Sequence, residues 1–111
     1  MLELKFHEKF FHMINNDRKI QTTRTHLKQG CDVDEDIIAR FVNDNDEFTG
    51  QRLLLHVSEI TKKQFKSLDD IDAIREDVIT VRKLQNDLLN FYPDLNDYSK
   101  IYCIRFDKLL Y

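Results

Sequence analysis

Glycine and proline are almost missing from this chain: Gly30, Gly50 and Pro93 are all that 111 residues contain. Average usage of about 12% for the two together would supply roughly thirteen. A loop that cradles phosphate with its backbone needs several glycines within a few positions, so that device is excluded. Collagen-like, proline-rich and Gly/Ser-linker architectures are excluded too. Asn and Asp take over most of the punctuation, at Asn15-Asn16-Asp17, at Asn43-Asp44-Asn45-Asp46 and across residues 94–97.

The length suits one domain over residues 1–111. With 41% hydrophobic and 33% charged residues, the chain can bury a core and keep a well-solvated surface. Its net charge of −3 argues against unspecific polyanion binding by the whole molecule. The charge is unevenly placed, however. Residues 18–28 carry Arg18, Lys19, Arg24 and Lys28 without an acid, residues 31–50 carry seven acids against Arg40, and Lys62, Lys63 and Lys66 form a second basic cluster. Cys31 and Cys103 are far apart, a pattern that suits a reducing cytoplasm better than a disulfide scaffold. Neither they nor His7, His12, His26 and His56 show metal-ligand spacing, so no metal and no cofactor are expected. No apolar run reaches the ~18 residues of a membrane span, and a cytoplasmic location without membrane partners is the expectation.

Between the Asn/Asp marks the periodicity is readable. Phe6, Phe10, Met13 and Ile14 recur at helical spacing, which predicts an amphipathic N-terminal helix over residues 5–16. Residues 19–24 are too β-branched and too short for a helix and read as a strand. Residues 37–42 make a second strand, and residues 52–60 a third with Leu53, Leu55 and Val57 on one face. Ser67 is a suitable N-cap with Asp70 three residues on, which predicts a helix over 68–76. Thr80 caps another helix carrying Val81, Leu84, Leu88 and Leu89, ending near Tyr92 because Pro93 disfavours helical backbone before it. Residues 100–106 alternate as a closing strand. Helix, three strands, two helices and a strand make a small α+β domain rather than a doubly wound parallel sheet.

The segment Arg18-Lys19-Ile20-Gln21-Thr22-Thr23-Arg24, behind a Phe-rich stretch, resembles the opening motif of ASCH-domain proteins. Leu27-Lys28-Gln29-Gly30 is similar to the turn that follows it there. Tyr92-Pro93 resembles the helix end, and Tyr102-Cys103-Ile104-Arg105-Phe106 the closing strand. The likeness spans residues 6–110. It implies a small PUA-like mixed β-barrel with an N-terminal helix and two helices before the last strand. The branch of this length includes 4-acetylcytidine amidohydrolases, whose working residues are the motif lysine, a threonine three residues on and a glutamate in the first paired helix. These fall on Lys19, Thr22 and Glu76; counting back from Tyr92-Pro93 instead puts the carboxylate on Asp77. Arg18, Arg24, His26 and Asp77 are the candidate substrate contacts. The chain departs from the pattern at Ile20, at Thr25-His26 and at Cys31, which splits a usual Gly-Asp pair.

The resemblance thus implies an amidohydrolase acting on a small modified pyrimidine nucleoside. Amide hydrolysis needs a nucleophile, a proton acceptor and a donor to the leaving nitrogen. Thr22 is a poor nucleophile until a base takes its proton, and Lys19 is such a base only if desolvation or nearby positive charge lowers its pKa. Glu76 would then deliver a proton to the departing amine. Residues three apart point to opposite faces of a regular strand, so Lys19 and Thr22 converge only if Lys19 precedes the strand or a bulge intervenes. Tyr92, Tyr102 and Phe41 are candidates for stacking a base. The alternative is an RNA- or nucleotide-binding module in which Arg18, Lys19, Arg24, Lys28 and the Lys62–Lys66 cluster contact phosphates.

Overall fold

A computed structural model describes residues 1–109; Leu110, where the resemblance ends, lies outside the described residues. Five strands, β1 (Glu3–His7), β2 (Gln21–Arg24), β3 (Asp36–Val42), β4 (Phe48–Gln64) and β5 (Lys100–Lys108), form one sheet in the order β1-β3-β4-β5-β2. β1 runs parallel to β3, and the other neighbours are antiparallel. The sheet curls into a half-barrel, the α+β architecture expected. Helix α1 (Phe11–Asn15) lies between β1 and β2, and α2 (Asp70–Arg75) and α3 (Val81–Phe91) lie between β4 and β5.

The N-terminal helix predicted over residues 5–16 starts later than expected, because residues 5–7 belong to β1. Leu4 and Phe6 are buried while Glu3 and Lys5 are exposed, a period of two. Phe6 belongs both to that alternation and to the helical series Phe6, Phe10, Ile14. Pairing with β3 satisfies the backbone of Glu3–His7 and places Phe6 on Phe41, ring centroids 5.8 Å apart. The rest of the predicted span is helical, as the 3-10 turn Glu8–Phe10 and α1. The start of α2 also differs. Ser67 sits in a 3-10 turn, and the cap is Asp69, whose carboxylate accepts from the Asp72 N–H at 3.0 Å while the Asp72 carboxylate accepts from the Asp69 N–H at 3.1 Å. Thr80 caps α3 as expected, its hydroxyl accepting from the Lys83 N–H at 3.1 Å, and α3 stops at Phe91 before Tyr92-Pro93.

β4 is longer than residues 52–60 suggested, and Gly50 lies inside it at φ +90°. A register slip between Val57 and Glu59 interrupts its pairing with β5, and β5 contributes to two apolar clusters. One fills the half-barrel, with Phe6, Phe41, Leu55, Val57 and Phe106. The other packs Leu84 and Leu88 of α3 and Ala73 of α2 on Ile101 and Cys103 of β5. β5 is therefore buried on both faces, and its neighbour β2 is as well. Among the described residues every non-glycine at positive φ is an aspartate: Asp17, Asp34, Asp46 and Asp77. Aspartate, which tolerates left-handed backbone better than most residues, replaces the missing glycines at these turns.

Candidate active site

β1 and β2 are the two edges of the sheet, and α3 spans the seam between them. There the fold leaves a cavity of about 330 Å³, at the lower end for small-molecule sites. Its wall includes Phe6 and His7 of β1, Lys19, Thr22 and Arg24 of the motif, and Glu76 just past α2. Phe91 and Tyr92 at the end of α3 close the far side.

Lys19 precedes β2. Its backbone N–H donates to the Met13 carbonyl at 3.0 Å, and the N–H of Ile20 donates to the Arg75 carbonyl at 2.7 Å. The second bond ties the motif to the last residue of α2 and so brings Lys19 beside Glu76. Lys19 Nζ lies 3.3 Å from Glu76 Oε1, with the two side chains only 5% and 4% exposed. It also lies 4.9 Å from the centre of the Phe10 ring. Burial pulls the Lys19 amine below the usual lysine value, outweighing the opposing effect of the Glu76 carboxylate.

In β2 the side chains divide between two faces. Thr22 pairs with Ile104 on the barrel side, and Thr23 pairs with Cys103 on the helix side. Arg24 Nε donates to Thr22 Oγ1 at 3.1 Å, and the guanidinium reaches across the seam to the Lys5 carbonyl at 2.8 Å while covering the Phe6 ring. A part-buried cation donating to the hydroxyl oxygen favours any negative charge that develops there. Because the cavity opens along an edge strand, Thr22 and Thr23 both reach it although they face opposite ways.

Of the sequence-expected residues, the structure brings Lys19, Thr22, Glu76 and Arg24 to one cavity. It does not bring Arg18, His26 or Asp77 there. Arg18 is half exposed and pairs loosely with Asp77 at 3.9 Å, and His26 lies on the exposed turn after β2. Asp77 ends α2 in left-handed backbone at φ 59°, which turns it outward and leaves Glu76 as the buried carboxylate. Tyr92 lines the cavity, whereas Phe41 is sealed in the core and Tyr102 lies apart from it. The acidic stretch 32–36 borders a separate depression with Met1 and Leu2.

Sequence reasoning missed His7, which as part of β1 reaches the cavity rim and contacts Asp44 at 2.6 Å. It also missed Gln21, Thr23, Asp72 and Lys63. Thr23 Oγ1 donates to Glu76 Oε2 at 2.6 Å, and Gln21 Nε2 donates to Glu76 Oε2 at 3.3 Å and to Asp72 Oδ1 at 3.0 Å. Lys63 Nζ closes on Asp72 Oδ2 at 2.9 Å. The available signal was the spacing of Asp72 and Glu76, four apart on one helix face, opposite a strand with polar residues on both faces. Cys103 lies 3.8 Å from Thr23 Oγ1, and burial pushes its thiol up to about 12, so it packs rather than reacts. Cys31 and Cys103 are unbridged. Among the described residues no group of His, Cys, Asp and Glu has metal-binding geometry, and no helix is long and apolar enough to cross a membrane.

No protein-family model matches the sequence, and no curated protein matches it significantly. Solved structures do match. The ASCH domain of Lactobacillus crispatus JV V101 aligns with TM-score 0.66 and 11% identity, covering 87% of this chain and 68% of its own. The DUF984 protein EF3133 of Enterococcus faecalis V583 gives 0.62 and 9%, over 91% of this chain and 67% of that one. The hypothetical protein PH0355 gives 0.64 and 18%, over 97% and 98% of the two chains. With its curled mixed sheet, its paired helices before the last strand and its motif at the sheet edge, the chain has the fold of an ASCH domain.

Proposed function

We propose that this protein is an amidohydrolase that removes the acetyl group from 4-acetylcytidine or a related acylated pyrimidine nucleoside. The observation that supports it best is a desolvated lysine in contact with a buried glutamate, in a cavity that also holds a threonine hydroxyl bonded to a guanidinium. Lys19, in the neutral form that burial favours, takes the Thr22 proton. Thr22 Oγ1 attacks the acetyl carbonyl to give a tetrahedral intermediate, which becomes the acyl-enzyme when the carbon–nitrogen bond breaks. The proton crosses the 3.3 Å contact to Glu76, which delivers it to the amine as the carbon–nitrogen bond breaks and cytidine leaves. Water, deprotonated by Lys19, then releases acetate and restores the hydroxyl.

The test is direct. Purified protein incubated with 4-acetylcytidine yields cytidine and acetate, and Lys19→Ala and Thr22→Ala each lose about a thousandfold or more in rate. No turnover by the wild type, or equal turnover in all three proteins, removes this reading. The alternative, an RNA- or nucleotide-binding module, draws support from Lys66 lying 4.5 Å above Tyr98 and Lys62 lying 5.8 Å above Tyr102. Lys19 and Arg24 are withdrawn from such a surface, and Lys63 is committed to Asp72. RNA affinity falling steeply with salt would favour the module.

A further inference from the structure

The Lys19–Glu76 contact is one end of a buried run of polar side chains for which the reaction above has no use. Gln21 is 1% exposed and Thr23 4%. Both reach from β2 toward α2, and both donate to the same glutamate oxygen, Oε2. Gln21 is itself anchored on Asp72, which is held by Lys63 Nζ and by the Asp69 N–H. A carboxylate on a side chain as long as glutamate's ordinarily rotates at little cost. Here one oxygen is engaged from two directions, and Oε1 is left to Lys19.

We propose that Thr23 and Gln21 are positioning residues for the Lys19–Glu76 pair, engaging Glu76 Oε2 so that only Oε1 faces the lysine. Without them the carboxylate can turn both oxygens onto Lys19. A closer ion pair favours the ammonium form, and a lysine that keeps its proton is no base. The other charged groups facing Lys19 are Arg24 and Asp77. Arg24 is bonded to Thr22 and the Lys5 carbonyl, and Asp77 is turned toward Arg18, so substitution at Thr23 leaves both in place. The kinetic consequence rests on the amidohydrolase reading; the geometry does not.

The experiment uses Thr23→Val, close in shape but without the hydroxyl, and Thr23→Ser, which restores it. Two quantities are followed against pH. One is kcat and KM for 4-acetylcytidine; the other is acetylation of Lys19 by a small amine-reactive reagent, quantified by mass spectrometry of its peptide. Thr23→Val is expected to lose about tenfold in kcat with KM within about twofold. The acid limb of its rate profile and the midpoint of Lys19 acetylation should both move to higher pH. Thr23→Ser should stay within about threefold of wild type. A Thr23→Val protein with unchanged kcat and midpoint overturns the proposal, and so does a serine variant as impaired as the valine one. Should circular dichroism show Thr23→Val unfolded, Gln21→Met, which removes the other donor, carries the same expectations. If the wild type hydrolyses nothing, the amide reading falls, and the acetylation midpoint alone decides: an upward shift upholds the positioning role and an unchanged one overturns it.

Discussion

Two lysine–carboxylate pairs stand on either side of Gln21, whose amide donates to both acids. Lys63 and Asp72 meet at 2.9 Å near the surface, with the lysine side chain 21% exposed, whereas Lys19 and Glu76 meet at 3.3 Å with neither more than 5% exposed. Burial pulls both lysines down. At Lys63 the hydrogen bond and charge of Asp72 outweigh that loss and raise its pKa. At Lys19 burial wins. Burial likewise pushes the Asp72 carboxyl up, but donors from Lys63, Gln21 and the Asp69 N–H hold it below the usual value. The same two residue types thus make a structural clasp in one place and a lysine drawn toward its neutral form in the other. What separates them is access to water and the number of donors that stabilise the charges.

That contrast is open to direct attack. The largest effect belongs to Lys19→Ala, expected to lower kcat about a thousandfold while Lys63→Ala stays within about threefold, as read by acetate release. Comparable losses in both would erase the distinction. Next in size, Asp72→Ala should cost about 2–3 kcal/mol in urea unfolding, since it removes half of a capping box and leaves the buried Gln21 amide short of an acceptor. A cost below about 0.5 kcal/mol would show that the clasp holds nothing.

Smaller, and opposite in sign at the two lysines, is the dependence of stability on pH. Lys63, with its pKa raised by folding, contributes stability that is complete below the ordinary lysine value and lost as pH rises through the folded value. For Lys19, with its pKa lowered, the unfolded chain binds more protons between the folded value and about 10.5, so its contribution grows with pH across that window. Wild-type minus Lys63→Met stability should therefore fall toward high pH, and wild-type minus Lys19→Met should rise. Parallel curves would contradict the assignment. Least affected is Lys5→Ala, which breaks an exposed pair with Asp46 and should leave the melting temperature where it was.

Much of this frame was legible in the chain. Thr80, Pro93 and the alternation over residues 100–106 act through neighbours in sequence, and they mark α3 and β5 correctly. Where two periods compete for one residue, as at Phe6, local pattern was not enough, because pairing with β3 some thirty-five residues away decides the outcome. The same limit applies to the cavity. Lys19, Thr22 and Glu76 were found through resemblance to a motif. Gln21 and Thr23 lie inside the motif segment without a role assigned by it, Asp72 and Lys63 lie outside it, and these residues meet across separations as large as 55 residues in the case of Gln21 and Glu76. The arginine of the motif was expected near substrate, but its span across the seam to the Lys5 carbonyl follows from the two edges facing each other.

The pairing of β2 with β5 has a consequence for how the protein comes into being. Thr23 lies opposite Cys103, eighty residues later, so the motif leaves the ribosome long before its partner strand is made. Pairings over such a separation form slowly. Until this one forms, Lys19 has no walls around it and behaves as any solvated lysine. The unusual amine is a property of the finished sheet, and a pH-dependent Lys19 reactivity would report completion of folding during synthesis or refolding as sharply as any spectroscopic probe.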